Sequence, residues 1–455
     1  MTEIIASPRV YQRKGVNTML KKFDGKALCA DDMGLGKTLQ SIIMIERLRV
    51  KTLVVCPSSL KYNWADEIKK FWPNKKFWVC SGRTPLAQRD LKKYDLFICN
   101  YEILQYWRDT FISLGIKFLI CDESHYVKTR TSLRFKAAYA ISKTCDYRIC
   151  LTGTPIENQP AELWAQMQIV NRKLFPSWIL FIKRYNGARR NRWGWELKKA
   201  TNTKELNKIL LDNCMIRRRK TEVLAELPDK SRQVIPLQIK TQKDYDSAEQ
   251  DILTWLKKNT ELNLEKTKKA LFLTKMEKLK LIAGLGKVDE VCTWVNEESP
   301  NRKLVVFCHH HEVLESLRKK IKNCIVMDSS TKGEERQRIA NLFQSDPNIR
   351  VFLSTIRVGG TGLNLFAAAT TVFIQLDWNP MKHEQAEDRV LRIGQTAKEV
   401  NALYFIGRDT IEEKIIKLLD LKRQNSKSII DGEDVLESEM LTELMKEMTN
   451  KLTIE

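Results

Sequence analysis

The chain has 455 residues, 43% of them hydrophobic, and carries 78 lysines and arginines against 56 aspartates and glutamates, a formal charge of +22. That is material for large buried cores, in about three domains as a prior from length, and no apolar run approaches the ~18 residues of a membrane span, so no membrane partner is expected. The basic excess favours an anionic polymer, most simply nucleic acid, although a generally basic surface reads the same way.

The first informative stretch is Ser7-Pro8-Arg9-Val10-Tyr11-Gln12. The Gln12 carboxamide offers a paired donor and acceptor that suit an adenine edge; equally, it is a polar residue on a first helix. An apolar run, Ala27 to Ala30, then leads into Asp31-Asp32-Met33-Gly34-Leu35-Gly36-Lys37-Thr38-Leu39-Gln40, and an amphipathic run follows from Ser41 to Glu46. This is strand, turn, helix. Gly34 and Gly36 let the backbone bend and bring its N–H groups close to a polyphosphate. The helix starting near Lys37 aims its N-terminal dipole at the same place. Asp32, Met33, Gly34, Leu35, Gly36, Lys37 and Thr38 thus form a phosphate cradle, in which Lys37 reaches the β/γ-phosphates and the Thr38 hydroxyl ligates Mg²⁺. The first glycine of the usual pattern is missing, and Asp31 holds its place.

Thr52 to Leu60 is a continuous apolar run ending in proline and hydroxyls, as expected of a buried parallel strand and its C-terminal loop. A helix with Trp64, Ile68 and Phe71 on its apolar side follows, and Asp95 to Glu102 repeats the strand and polar loop. Phe118 to Cys121 then ends in Asp122-Glu123-Ser124-His125. Two acids at the end of an apolar strand are expensive. Either they form an ordinary acidic loop, or Asp122 holds Mg²⁺ and Glu123 orients and deprotonates an attacking water. Tyr147 to Pro155 is a further strand with a Thr/Gly/Pro turn. Strands alternating with helices over this length predict an α/β fold with a doubly wound parallel sheet.

From Asn171 to Pro228 the character is helical and basic, with Trp178, Arg184, Arg189, Arg190, Arg192, Trp193, Trp195, Lys198 and Lys199 before Arg217-Arg218-Arg219-Lys220. Basic residues interleaved with aromatics suit contact with a phosphate backbone; a solvated helical face over a tryptophan core is the alternative. Charged amphipathic helices fill 241–298. A second α/β unit follows, with strands starting at Leu304, Cys324, Val351, Val372 and Ala402 and a charged helical tail after Thr410. It contains a glycine-rich loop, Gly359 to Leu365, and the stretch Gln385 to Gln395. There Arg389 and Arg392, three apart, are predicted on one helix face. Such arginines stabilise charge developing in phosphoryl transfer. They lie far from Lys37 in sequence and come from the other lobe, so hydrolysis is expected to depend on lobe closure. The expected division is residues 1–235, an N-terminal ATP-binding lobe with a basic helical insertion over about 165–230, and residues 236–455, a helical insertion over about 241–298 and a C-terminal lobe over about 300–430.

Eleven cysteines are scattered singly without a C-x-x-C, so no zinc ribbon is indicated, and the odd number fits a reducing intracellular setting. His309-His310-His311 suggests a metal at first sight, but consecutive strand residues point different ways and are not expected to converge.

In order, Tyr11-Gln12, Asp31 to Gln40, Cys56 to Leu60, Asp122 to His125, Leu151 to Asn158, Ser354 to Leu365 and Gln385 to Gln395 resemble the motifs of the Swi/Snf-type ATPases of helicase superfamily two. The resemblance spans nearly the whole chain, and that family also often carries aspartate at the first glycine. It implies two RecA-like lobes with helical insertions, ATP and Mg²⁺ as cofactors, and a DNA-dependent ATPase that tracks along duplex or branched DNA and remodels it. By resemblance Gln12 reads adenine, Lys37 and Thr38 bind phosphate and metal, and Asp122 and Glu123 serve metal and water. Arg389 and Arg392 act as fingers, Thr154 and Gly362 couple nucleotide state to DNA contact, and Gln385, Arg217 and Arg218 serve coupling or DNA contact. Ser124 replaces the commoner small residue. That form, with Pro57-Ser58-Ser59-Leu60, resembles the HARP-type annealing-helicase branch. Expected localisation is intracellular: cytoplasm or nucleoid if bacterial or viral, nucleus if eukaryotic. No histone reader, zinc finger or HARP repeat is visible, so targeting would fall to protein partners. A strand-separating or annealing helicase and an ATP-gated DNA clamp without turnover are the rival readings; Glu123 and the two arginines speak against the clamp.

Overall fold

The computed structural model describes residues 5–153, 155–156, 159–192, 194–197, 200–224, 227–257, 266–360, 363–392 and 394–420. The chain divides into two compact units, the first ending at Leu227 and the second beginning at Pro228 among these residues.

The first unit is built on strands β1 (Lys26–Cys29), β2 (Thr52–Cys56), β3 (Trp78–Val79), β4 (Leu96–Asn100), β5 (Phe118–Asp122) and β6 (Tyr147–Leu151). After a small antiparallel hairpin of β7 (Arg189–Asn191) and β8 (Gly194–Glu196), the chain returns as β9 (Met215–Ile216). The main sheet is parallel, in the order β3-β4-β2-β5-β6-β1-β9. Every residue of β2, β4 and β5 is buried, because helices cover both faces of the sheet. Alternate side chains feed two cores: Leu53, Phe97 and Leu119 on one face, Val54, Ile98 and Ile120 on the other. The segment read as a basic helical insertion is only partly that. Helices Trp178–Asn186 and Thr203–Asn213 flank the hairpin, and β9 is an edge strand beside β1, with Leu28 N–H donating to Cys214 O and Ala30 N–H to Ile216 O, each at 2.8 Å.

The second unit contains β10 (Asp229–Leu237), β11 (Leu304–Cys308), β12 (Cys324–Met327), β13 (Val351–Thr355), β14 (Thr370–Phe373) and β15 (Glu399–Gly407), a parallel sheet in the order β10-β15-β14-β11-β13-β12. The boundary expected after residue 235 therefore falls too late: β10 pairs with β15 from Asp229↔Glu399 to Leu237↔Gly407. Its Pro236, which cannot donate to a ladder, sits on this edge strand where no donor is needed on the outer side. The helix Lys266–Glu298 packs on the sheet through Val288, Val291 and Val295. Among the described residues, no helix is long and apolar enough to cross a membrane.

Among the described residues, one ion pair lies wholly in this interior. Lys287 and Glu412 side chains are both 0% exposed and paired. The ammonium also donates to Phe405 O at 2.8 Å, and the carboxylate accepts from Gly407 N–H at 2.8 Å. Lys287→Met strands the Glu412 charge, and we expect a loss of about 3–5 kcal/mol of unfolding free energy, read from the denaturant midpoint. Lys287→Met/Glu412→Gln removes both charges and should recover most of it; an equally unstable double variant would show that the pair is not what the single substitution breaks.

Candidate active site

The carboxyl ends of β1, β5 and β6 bring the expected residues of the first unit together. After β1 the chain turns through Gly34 (φ 82°) and Gly36 (φ 72°) into the helix Lys37–Leu48. Glycine suits Gly36 because its backbone is left-handed, and a Cβ there would lie 2.3 Å from Gln12 Nε2 and displace that carboxamide. Gln12 is buried against this loop, its Oε1 accepting from Arg9 N–H at 2.9 Å and its Nε2 donating to Leu35 O at 3.2 Å. The Tyr11 hydroxyl donates to the same carbonyl at 3.1 Å. Lys37 Nζ lies across the loop, donating to Asp31 O at 2.8 Å and Asp32 O at 3.1 Å.

Asp31, in place of the first glycine, is fully buried and is held by Arg218, whose Nε donates to Oδ1 at 2.9 Å while Nη2 pairs with Oδ2. Gln40 Nε2 adds a bond to Oδ2 at 3.2 Å. Arg217 Nη1 pairs with Asp32 Oδ1 at 2.9 Å and donates to Ala30 O at 2.6 Å. Arg217 and Arg218, expected to serve coupling or DNA contact, turn their side chains to the phosphate loop. Their side chains are only 13% and 17% exposed, because β9 delivers them to the two acids that begin the loop.

Asp122 closes β5. Trp64 Nε1 donates to its Oδ2 at 2.8 Å, and Glu123 N–H to its Oδ1 at 3.0 Å. Burial, and then the neighbouring Glu123 charge, push the Asp122 carboxyl up to about 7 against the opposing pull of Trp64 and Lys37. Glu123 sits in left-handed backbone (φ 49°, ψ 55°), a strained position for a residue with a side chain. Its Oε2 is buried without a hydrogen bond, 3.5 Å from His125 Nδ1. The Ser124 hydroxyl donates to Gln166 Oε1 at 2.6 Å, and Gln166 Nε2 donates to Pro155 O at 2.6 Å. A fully buried glutamine on the Ala161–Asn171 helix thus ties the acidic turn to the turn after β6. Neither Trp64 nor Gln166 was legible as a site residue. Trp64 read only as an apolar helix position, and Gln166 stands in a run with no motif.

In the second unit the helix carrying Gln385, itself half-buried, spans Pro380–Glu387. Asp388 caps it (φ −73°, ψ 0°), so Arg389 and Arg392 lie in the turn beyond rather than on one helix face. The backbone tightens there, with Arg389 N–H donating to Ala386 O at 3.1 Å, and the Arg389 carbonyl accepts from Leu365 N–H at 3.0 Å. Both guanidiniums nonetheless converge on the glycine-rich loop. Arg389, 3% exposed, donates to Gly360 O at 3.0 Å, and Arg392 Nη1 donates to Asn364 Oδ1. Thr154 and Gly362 lie outside the described residues, as do Trp193, Lys198 and Lys199.

Among the basic and aromatic residues of the first unit, Arg189, Arg190 and Arg192 are exposed on the hairpin, and Lys183 Nζ stands 5.1 Å over the Trp195 ring. Arg184 instead pairs with Glu205. The histidines depart from expectation: His309 and His310 Nε2 both lie 3.2 Å from Glu277 Oε2, because His310 has already left the strand to cap the next helix. A three-ligand metal set is still disfavoured. Gln375 Oε1 accepts from the N–H groups of His309 and His310 at 3.0 Å each, which turns its Nε2 to donate to His310 Nδ1 at 2.9 Å. His310 then carries its proton on Nε2, as a donor to Glu277 rather than a metal ligand.

The SNF2-related domain model matches residues 11–288, more than half of the chain, and the helicase conserved C-terminal domain matches residues 286–394. The chain is 33% identical over 442 residues to the Bos taurus DNA annealing helicase and endonuclease ZRANB3, covering 93% of this chain and 40% of that protein. It is 33% identical over 433 residues to the Xenopus laevis SWI/SNF-related matrix-associated actin-dependent regulator of chromatin subfamily A-like protein 1, covering 92% of this chain and 44% of that protein. It therefore spans less than half the length of these relatives. A solved structure of the Sulfolobus solfataricus SWI2/SNF2 ATPase core in complex with dsDNA aligns over 99% of this chain and 98% of its own at 29% identity, with a TM-score of 0.45. With an SNF2-related domain followed by a helicase C-terminal domain, on two parallel-sheet units that carry the motifs in family order, the chain belongs to the SNF2-related family of helicase-like ATPases.

Proposed function

We propose that this chain hydrolyses ATP in a DNA-dependent manner and couples turnover to movement on duplex DNA. The observation that carries the hydrolysis reading is Glu123. A carboxylate oxygen is buried, left without a donor and held by strained backbone next to Asp122, which is close enough to Lys37 to feel its charge. A scaffold that merely bound nucleotide would have no use for it.

In this reading the loop N–H groups and Lys37 bind the phosphates, and Gln12 fixes the edge of the loop nearest the base. Glu123 accepts the proton of the attacking water. Arg389 and Arg392 offset the charge that develops on the transferring group. The Thr38 hydroxyl and the Asp122 carboxylate are the hard oxygen donors that Mg²⁺ takes, and a carboxyl pushed up by burial and by a neighbouring acid is one that a cation would return to its charged form. The metal, when bound, neutralises phosphate charge. The partner is supported by the charge of +22 and by the arginines exposed on the hairpin. The likeness to a DNA annealing helicase favours a second reading of the same motor, annealing of complementary strands.

The test is ATP turnover with single-stranded, duplex, forked and RNA effectors at several salt concentrations. We expect negligible turnover without nucleic acid, strong stimulation by duplex or forked DNA, and a steep decline with salt as phosphate contacts are screened. Turnover indifferent to DNA would refute the coupling, and stimulation by RNA alone would refute the substrate.

A further inference from the structure

We propose that Tyr101 is a positioning residue for hydrolysis, with Gln166 as a second support: its hydroxyl fixes the peptide that leads into Glu123, and so aims the carboxylate of that residue. The inference rests on the ATPase reading and deepens it, since it says what keeps the proton acceptor in place.

Glu123 stands in left-handed backbone, which a residue with a side chain keeps only where its surroundings over-determine it. Here they do so peptide by peptide. The peptide before Glu123 is bonded at both ends. The Asp122 carbonyl accepts from the Tyr101 hydroxyl at 2.8 Å, and the Glu123 N–H donates to Asp122 Oδ1 at 3.0 Å. The peptide after it is held at its carbonyl, Glu123 O accepting from Tyr126 N–H at 3.0 Å. Peptides are planar, so the first plane fixes φ, the second fixes ψ, and the direction of the Glu123 side chain follows from both.

The bonds from Asp122 and Tyr126 arise within the turn itself; the bond from Tyr101 does not. Tyr101 follows β4, and β2 lies between β4 and β5 in the sheet. Its side chain spans two strand spacings, roughly 10 Å, to meet the end of β5. It is 1% exposed, and its ring stacks on Tyr126 with centroids 5.4 Å apart. Burial pushes the phenol well above its usual range, so the hydroxyl stays protonated and donates. A phenylalanine would fill the same space and stack in the same way. Packing alone does not call for the hydroxyl.

Gln166 secures the other side. The Ser124 hydroxyl donates to it, and it donates to Pro155 O, at 2.6 Å in each case. The residue after Glu123 is thus tied to the helix Ala161–Asn171, as the residue before it is tied to the end of β4. Strained backbone costs stability, and two buried side chains 22 and 43 positions from Glu123 hold its neighbours in place around it. The return shows at the side chain, where Glu123 Oε2 is buried without a hydrogen bond. Trp64 holds the Asp122 carboxylate by a separate bond, so loss of the Tyr101 hydroxyl should leave metal and phosphate binding alone.

The test compares Tyr101→Phe and Gln166→Met with the wild type, and Tyr101→Phe/Glu123→Gln with Glu123→Gln. Phenylalanine removes one oxygen, and methionine keeps the length of the glutamine without its polar atoms. Thermal midpoints show that each variant is folded; DNA-stimulated turnover gives kcat and KM for ATP, and single-turnover hydrolysis gives the residual rate of the Glu123→Gln pair. We expect Tyr101→Phe to lower kcat at least about tenfold with KM kept within about twofold, as for a misplaced catalytic group. Gln166→Met should act in the same direction. In the Glu123→Gln background Tyr101→Phe should change the residual rate by less than about twofold, because the group it aims is already gone. A smaller loss in kcat, a loss expressed in KM, or the same loss repeated in the Glu123→Gln background would overturn the assignment. If the wild type shows no DNA-stimulated turnover, the ATPase reading falls and this role with it. If Glu123→Gln keeps its rate, the proton acceptor falls and Tyr101 has nothing to aim.

Discussion

Replacing Arg392 with alanine is expected to lower DNA-stimulated ATP turnover by about 10³- to 10⁵-fold, the range that an arginine supplied to a transferring phosphoryl group is worth. The expectation is sharper for Arg392 than for Arg389. Arg389 is 3% exposed, and its guanidinium serves the glycine-rich loop through Gly360 O and Leu363 O. Truncating it would disturb that loop as well as the chemistry. Arg392 is half-buried, with bonds to the Asn364 side chain and to Asp388 O in its own turn. Neither of these two acceptors is a carboxylate, and hydrogen bonds made by a charged group are worth about 1.5–3 kcal/mol, so Arg392→Ala should cost stability on that order. A large kinetic loss in a protein that still folds is therefore the expected signature. Arg392→Lys should not restore the rate, because a single ammonium cannot reproduce the fork of the guanidinium. Turnover within tenfold of wild type in Arg392→Ala, measured with saturating ATP and duplex DNA, would remove this residue from the mechanism.

What could be read from the sequence, and what could not, divides along sequence distance. The phosphate loop was legible because its whole logic is local: an apolar strand, two glycines in left-handed backbone, and a helix N-terminus within a dozen residues. The strands of both sheets were legible for the same reason, since a strand buried on both faces is a continuous apolar run. Short edge strands escaped: β9 has two residues, and β10 has a half-exposed polar pattern and a proline. Partnership escaped most completely. Arg218 and Asp31 stand 187 residues apart, and a run of arginines looks the same whether it faces solvent or two buried acids. Arg232 and Glu387 are separated by 155 residues, and nothing in either neighbourhood announces the other. The helix face predicted for Arg389 and Arg392 failed for a related reason. The turn beyond that helix is tied at its Arg389 carbonyl to Leu365 N–H, in a loop that precedes it.

Glu123→Gln is the second substitution with a large expected effect, about 10²- to 10⁴-fold in the hydrolytic step, the contribution of a well-placed general base. The exchange keeps the shape of the side chain and leaves backbone strain at φ 49° unchanged, so any loss of rate belongs to the carboxylate. An amide cannot take a proton from water at this position. Nucleotide and metal binding should survive, and electrostatics gives the sign. The Glu123 charge is, after burial, the largest cause pushing the Asp122 carboxyl up to about 7. Removing that charge brings Asp122 down, so a larger fraction is ionised at neutral pH and its hold on a divalent cation is strengthened rather than weakened. The variant should therefore bind a fluorescent ATP analogue with Mg²⁺ at least as tightly as wild type while failing to turn it over. Single-turnover hydrolysis beside equilibrium binding separates the two effects. If Glu123→Gln hydrolysed ATP at near wild-type rate, the unbonded oxygen would be a structural accident of the strained turn. If it lost binding and rate together, Glu123 would instead be holding the phosphate loop and its acidic neighbour in place.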